Sequence, residues 1–383
     1  IWENLANMYK RFESDEIPYA RLKVRFQDIE KELVTDQEGF FNVWLEPNGP
    51  LPADKLWQDV ELELTHPLRP GYPPVRATGN IFVPPATARF GVISDIDDTV
   101  VQTDAANILR MARTVFLGNA RTRLPFKGVA AFYRALFEGS GGKEMNPLFY
   151  VSSSPWNLYD LLTDFFNLLE IPIGPILFLR DWGLTENEIL PTQHKVHKTN
   201  TIDLIMSLYA SMPFILIGDS GQEDPEIYYD IVRRYPKRIL AVYIRNVSRD
   251  LRRPESIRKL AEKVVAAGST LILADDTLPM AEHAAQNGWI SASSLPAIEA
   301  RKEADEAPPG PVEKLLGEEE KPAEAPTVVV QEESKQATQQ AVETGAIEEA
   351  LEKTETESPK PPSVVVKGED SEEEKKDQAK GEV

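Results

Sequence analysis

Cysteine is absent from the 383 residues. Disulfides, thiolate metal sites and a cysteine nucleophile are therefore excluded, while the redox compartment stays open. Histidine is scarce, and His66, His194, His197 and His283 do not stand at metal-ligand spacing. Positive charge is in deficit: Lys+Arg number 42 against 62 Asp+Glu, a net charge of −20. An overall basic nucleic-acid binder is excluded, although local basic patches are not. No apolar run approaches the roughly 18–20 residues needed to span a bilayer. The chain opens on Ile1 rather than Met, so the lack of a visible signal segment carries no weight. Phe, Trp and Tyr are missing from residues 301–383, which hold 23 acidic and 11 basic side chains. Such a segment cannot bury enough apolar surface to offset chain entropy. We expect residues 298–383 to form a disordered acidic tail, interrupted only by the Val triplets 328–330 and 364–366.

The aromatic residues all lie in the first 300, and there the patterns fall into two kinds. Residues 1–12 read as a short helix, with Trp2, Leu5, Met8, Tyr9 and Phe12 near helical spacing. Period-two runs follow at Leu22-Val24-Phe26, Phe41-Val43-Leu45 and Val60-Leu62-Leu64. A turn over Thr35–Gly39 and Pro/Gly clusters at 47–52 and 67–74 punctuate them. This predicts an N-terminal helix plus a small β-sandwich-like domain within residues 1–86. The stretch VTDQEGFFNV resembles the strand–turn–strand of transthyretin-like and carboxypeptidase-regulatory modules.

From residue 87 the apolar runs lose their alternation: Phe90–Ile93, Leu148–Val151, Ile176–Leu179, Phe214–Ile217, Ile239–Ile244 and Leu271–Leu273. Helical patterns at 127–138, 156–169, 198–210 and 224–234 separate them. Buried parallel strands read as continuous apolar runs with helices on both faces. The expectation is an α/β domain over 87–297 with a doubly wound parallel sheet. In such folds ligands sit beyond the carboxyl ends of the strands.

Those strand ends carry the chemistry. The first run leads into Ser94-Asp95-Ile96-Asp97-Asp98-Thr99, the second into Ser152-Ser153-Ser154, and the fourth into Gly218-Asp219 with Glu223 and Asp224 beyond. His197-Lys198 precedes the fourth run. Clustered carboxylates with oxygen-rich neighbours favour Mg²⁺, a hard cation, and suit phosphoryl transfer. Asp95 is placed to attack phosphorus as a nucleophile, and Asp97 to pass a proton to the leaving oxygen. Ser152 and Lys198 would hold phosphoryl oxygens. Asp95, Asp97, Asp219 and Asp224 form the expected metal set, with Asp224 preferred over Glu223. Each residue also has a plainer role. Asp and Thr cap helices, Gly-Asp-Ser-Gly makes turns, Ser before Pro opens helices, and a helix Lys can be merely solvated, with Lys195 a substitute for it.

The four elements resemble, in order, the motifs of the haloacid dehalogenase (HAD) superfamily of phosphohydrolases. Asp95-Ile96-Asp97-Asp98-Thr99 matches D-x-D-x-T, Ser152 the strand-end Ser/Thr, Lys198 the motif-three Lys, and Gly218-Asp219 with Asp224 the acidic fourth motif. SDIDDTVVQT, PFKGVAAFY, YVSSSPWNLYD and FILIGDSGQEDPEIY resemble more closely the Mg²⁺-dependent phosphatidate phosphatase family founded on a fungal actin-patch protein. Its bacterial members commonly place a β-rich segment before the catalytic domain. The resemblance spans about residues 1–297. It implies a HAD-like fold, an aspartyl-phosphate intermediate and hydrolysis of phosphatidate to diacylglycerol and phosphate.

The gaps between the motifs hold no large cap domain, so a HAD-like sheet with little or no cap is expected. An open site admits a phosphate on a bulky or membrane-held group, whereas small soluble substrates usually need a lid. The segment 104–127 reads as a basic amphipathic helix and loop, with Arg113, Arg121 and Arg123 as a rim toward anionic lipid. The same pattern fits a helix packed on the sheet with Arg facing solvent. The expected setting is a cytoplasmic enzyme in peripheral contact with a membrane. Two alternatives stand beside it: the same chemistry on a soluble or protein phosphomonoester, and a non-catalytic adaptor. Keeping four mutually repelling carboxylates together argues against the adaptor.

Overall fold

The computed structural model describes residues 17–51, 55–68, 70–97, 99–100, 127–179, 191–248 and 250–306. The helix expected at 1–12, Asp98, the rim residues Arg113, Arg121 and Arg123, and residues 307–383 lie outside the described residues.

The N-terminal part forms an antiparallel sheet of β1 (Arg21–Phe26), β2 (Ile29–Val34), β3 (Trp57–His66) and β4 (Arg76–Phe82), in the order β2-β1-β3-β4. Val24, Phe26 and Val60 are buried beneath it, with Leu33, Leu45, Leu62 and Ile81 packed against them. Among the described residues this is one sheet, not the sandwich that alternation suggested. The run Phe41-Val43-Leu45 is not a strand either. Asp36 ends β2 with a tight turn, its side chain accepting the N–H groups of Glu38 and Phe40 at 3.1 and 2.9 Å. Among the described residues, the chain beyond it meets no strand to supply a ladder, and period two cannot announce a missing partner. The two unforeseen strands, β2 and β4, are edge strands that carry polar and small residues. β2 is tied to β1 by Lys23–Glu30 and Arg25–Glu30 ion pairs at 2.9 and 2.7 Å.

The second sheet is wholly parallel, as continuous apolar runs require. Its strands are β5 (Gly91–Asp95), β6 (Leu148–Pro155), β7 (Ile176–Leu179), β8 (Phe214–Asp219), β9 (Ile239–Arg245) and β10 (Leu271–Ala274). All six expected runs are strands. Their order is β10-β9-β8-β5-β6-β7. The chain thus winds outward from β5 through β6 and β7, returns to the middle at β8, and winds out the other way. The reversal lies between β5 and β8, where the crevice of a doubly wound sheet forms.

Helices cover both faces. On one, Val92, Tyr150, Ile215, Ile217 and Tyr243 pack against α1 (Val129–Glu138), α2 (Tyr159–Leu168), α6 (Leu278–Gln286) and α7 (Leu295–Glu306). On the other, Ile93, Phe149, Val151, Leu216 and Val242 pack against α3 (Pro191–Leu208), α4 (Asp224–Arg234) and α5 (Arg253–Ala266). Adjacent residues such as Val92 and Ile93 serve opposite layers, because successive strand side chains point to opposite faces. The expected boundary at 297/298 falls inside α7. Ile298 is buried in the core, and the Asp305 carboxylate accepts the Gly128 N–H at 2.8 Å. This long-range polar contact escapes a reading based on apolar content. The two sheets meet through the edge-to-face pair of Phe82 and Phe149 at a centroid separation of 5.7 Å, and beyond the strands Phe40 meets Trp156 at 5.8 Å.

Candidate active site

Asp95 ends β5 and Asp219 ends β8, on the two strands that flank the reversal. Both are fully buried. Asp224 opens α4 directly beyond β8, where the helix dipole favours an acid. Pro225 in the first turn gives up only an N–H that the helix leaves unused. Gly218 permits this close return. A Cβ there would lie 2.3 Å from Asp224 Oδ2 and 2.8 Å from the Tyr228 ring. Lys198 projects from the second turn of α3, is 3% exposed, and places Nζ 2.9 Å from Asp95 Oδ1 and 2.5 Å from Asp224 Oδ1.

Asp95, Asp219 and Asp224 each offer a carboxylate oxygen within 4.8 Å of the others. One oxygen of Asp219 is committed: Oδ1 accepts the N–H groups of Gly221 and Gln222 at 2.6 and 3.1 Å. The other, Oδ2, is buried with no hydrogen-bond partner. Asp95 Oδ2 accepts from the Thr99 hydroxyl at 3.4 Å, and Asp224 Oδ2 from the Asp219 N–H at 3.2 Å. Three buried acids against one ammonium leave surplus negative charge. Burial first, then Asp224, pushes the Asp219 carboxyl up to about 7, against Lys198 and the two N–H groups. Burial also raises Asp95 well above the ordinary carboxylate range. Lys198 opposes this, and the neighbouring acids add to it. Burial alone would discharge Lys198, but Asp224 and Asp95 overcome it and hold the ammonium charged. An all-oxygen donor set with an orphaned carboxylate oxygen fits a hard divalent cation.

Ser152 and Asp97 form a second pair, the hydroxyl donating to Asp97 Oδ2 at 3.0 Å. Asp97, which the sequence placed among the ligands, is not one of the three acids whose carboxylate oxygens lie within 4.8 Å of one another. Glu223 is exposed while Asp224 is buried, in line with the preference for Asp224. Lys195 is not in the cluster and lines a groove with Arg233 and Arg234 on the outer side of α3 and α4. Sequence reading missed the supporting residues. Tyr133 on α1 shares a buried 2.7 Å hydrogen bond with Ser94, the neighbour of Asp95. Tyr228 donates to the Ile217 carbonyl at 2.9 Å, and Arg253 grips the loop after Asp219. Only tyrosines at apolar helix positions hinted at the first two, and nothing hinted at the third.

A buried carboxylate–lysine cluster at the switch point of a doubly wound sheet is the equipment of phosphoryl transfer. The comparisons agree in class. Residues 90–246 match the family described as Phosphatidate phosphatase APP1, catalytic domain. Within that segment lie Asp95, Asp97, Ser152, Lys198, Asp219 and Asp224. The chain is 33% identical over 162 residues to Phosphatidate phosphatase APP1 of Saccharomyces cerevisiae, covering 42% of this chain and 26% of the relative. It is 32% identical over 161 residues to an uncharacterized protein of Schizosaccharomyces pombe, covering 42% of this chain and 25% of that one. The chain thus spans about a quarter of the length of these curated relatives. The likeness supports a phosphatase enzyme. Among the described residues, no helix is long and apolar enough to cross a membrane.

Proposed function

We propose that this protein is a Mg²⁺-dependent phosphatase of HAD-like mechanism that hydrolyses phosphatidate to diacylglycerol and phosphate. The observation that carries the reading is the convergence of Asp95, Lys198, Asp219 and Asp224 in a segment similar to a phosphatidate phosphatase catalytic domain. Asp95, Asp219 and Asp224 would hold Mg²⁺, which when bound supplies positive charge against the phosphoryl oxygens. Asp95 attacks phosphorus through a carboxylate oxygen. The bond from phosphorus to the lipid oxygen breaks, and Asp97, as general acid, gives that oxygen a proton. Asp97, now a carboxylate, takes a proton from water. The resulting hydroxide attacks the aspartyl-phosphate, releasing phosphate and restoring Asp95. Ser152, bonded to Asp97, orients the acid–base carboxyl. Lys198 opposes the burial-driven rise of Asp95 and holds its carboxylate in place.

The substrate stays at the bilayer, so the enzyme works as a peripheral visitor from the cytoplasm. Arg113, Arg121 and Arg123 are our candidates for the lipid-facing rim, each worth about 1 kcal/mol near an anionic surface. The test is phosphate release from phosphatidate vesicles and from p-nitrophenyl phosphate, with Mg²⁺ and with EDTA. Vesicle turnover that needs Mg²⁺, vanishes in a folded Asp95→Asn variant, and falls with Arg113, Arg121 and Arg123 changed to Gln is expected. Turnover of the soluble ester alone would remove the lipid assignment.

A further inference from the structure

Asp219 and Asp224 are joined by a short loop, and that loop is gripped by an arginine from a distant helix. Arg253 is the first residue of α5. Its Nε donates to the Ser220 carbonyl at 3.0 Å, and Nη2 to the Gln222 carbonyl at 2.8 Å. Nη1 and Nη2 also donate to the two oxygens of Glu226, at 2.5 and 2.8 Å. Glu226 lies in the first turn of α4, which begins at Asp224. One planar guanidinium thus ties together the loop, the start of α4 and the start of α5. A lysine, with a compact ammonium, cannot span these four acceptors.

The direction of the grip matters for the metal site. The Ser220 carbonyl and the Gly221 N–H belong to one planar trans peptide, so they point opposite ways. Drawing the carbonyl to Arg253 turns the N–H away from it, and that N–H donates to Asp219 Oδ1 at 2.6 Å. With Oδ1 occupied, Oδ2 is the oxygen left without a hydrogen-bond partner. The loop is held a second time through the Ser220 hydroxyl oxygen, which accepts the N–H groups of Val247 and Ser248 at 2.9 and 3.0 Å. Arg253 lies beyond the matched segment 90–246 and outside the acidic cluster itself.

We infer that Arg253 is a positioning residue for the metal centre, setting the Asp219 carboxylate through the Ser220–Gly221 peptide so that Oδ2 faces Mg²⁺. The inference rests on the Mg²⁺ reading above. The experiment is calorimetric titration of Mg²⁺ into the full chain as wild type, Arg253→Lys and Glu226→Gln, with circular dichroism to confirm folding. Arg253→Lys is expected to weaken Mg²⁺ binding about 10-fold or more, the range typical of lost supports behind metal ligands. Turnover should recover at saturating Mg²⁺. Glu226→Gln loosens the fork and is expected to weaken binding several-fold. It decides the question if Arg253→Lys does not fold. Wild-type Mg²⁺ affinity in the folded variants, even with a lowered melting temperature, would make Arg253 a purely structural clamp and overturn the inference. A wild-type chain that binds no Mg²⁺ would remove the metal reading and this inference with it.

Discussion

Replacing Lys198 by Met removes the cation paired with Asp95 and Asp224, while keeping much of the side-chain volume. The ammonium is 3% exposed and lies 2.9 Å from Asp95 and 2.5 Å from Asp224. At an effective dielectric constant of about 20, each such contact is worth roughly 6 kcal/mol before desolvation of the ammonium is charged against it. The net cost of leaving buried carboxylates without their partner is about 3–5 kcal/mol. With about 2–4 °C per kcal/mol for a unit of this size, the metal-free melting temperature should fall by roughly 6–20 °C. The loss should depend on pH. Burial already raises Asp95, and Lys198 is the first group opposing that rise. Without the lysine, the folded-state pKa of Asp95 climbs further above its unfolded value. Such a group destabilises the fold above its folded pKa and is relieved as pH falls through it. The deficit of Lys198→Met, measured by thermal unfolding of the full chain in EDTA, should therefore be largest near pH 8 and shrink toward pH 5. A deficit below about 1 kcal/mol, or one equal at both pH values, would refute the reasoning.

Asp219→Asn probes the same surplus charge from the other side. Because the folded Asp219 carboxyl is pushed up to about 7, metal-free wild type should lose stability relative to Asp219→Asn as pH rises from about 4 to about 7. Parallel melting curves across that window would contradict it, and added Mg²⁺ should abolish the wild-type loss. Gly218→Ala would drive a methyl to within 2.3 Å of Asp224 Oδ2 and 2.8 Å of Tyr228. A loss of about 1–3 kcal/mol in urea unfolding is expected, together with reduced turnover. Asp95→Asn, nearly isosteric, should unfold close to wild type while losing phosphate release. Retained turnover would exclude Asp95 as nucleophile.

Much of this protein was legible in its residues. Six unbroken apolar runs announced six parallel strands, because a strand buried on both faces needs apolar side chains at every position. Asp95, Ser152, Asp219 and Asp224 could be picked out at or just beyond strand ends, because the carboxyl edge is where a doubly wound sheet places its chemistry. Lys198 could be picked out on the helix before the fourth run. Other features depend on which chain segments become neighbours. Whether 41–45 is a strand turns on a ladder partner, and period two is silent about partners. The paired arrangement of Lys198 between Asp95 and Asp224, and of Ser152 with Asp97, required the strand order that brings β5, β6 and β8 together. Arg253 could not be singled out in the sequence. Its partners in the loop are backbone carbonyls, which every residue possesses, and only the tertiary fold selects Ser220, Gln222 and the Glu226 carboxylate for it. Local patterning thus determined the elements and the identities of the reactive side chains. Long-range packing decided their pairing, because hydrogen bonds and ion pairs act over a few ångströms in space, whatever the distance along the chain.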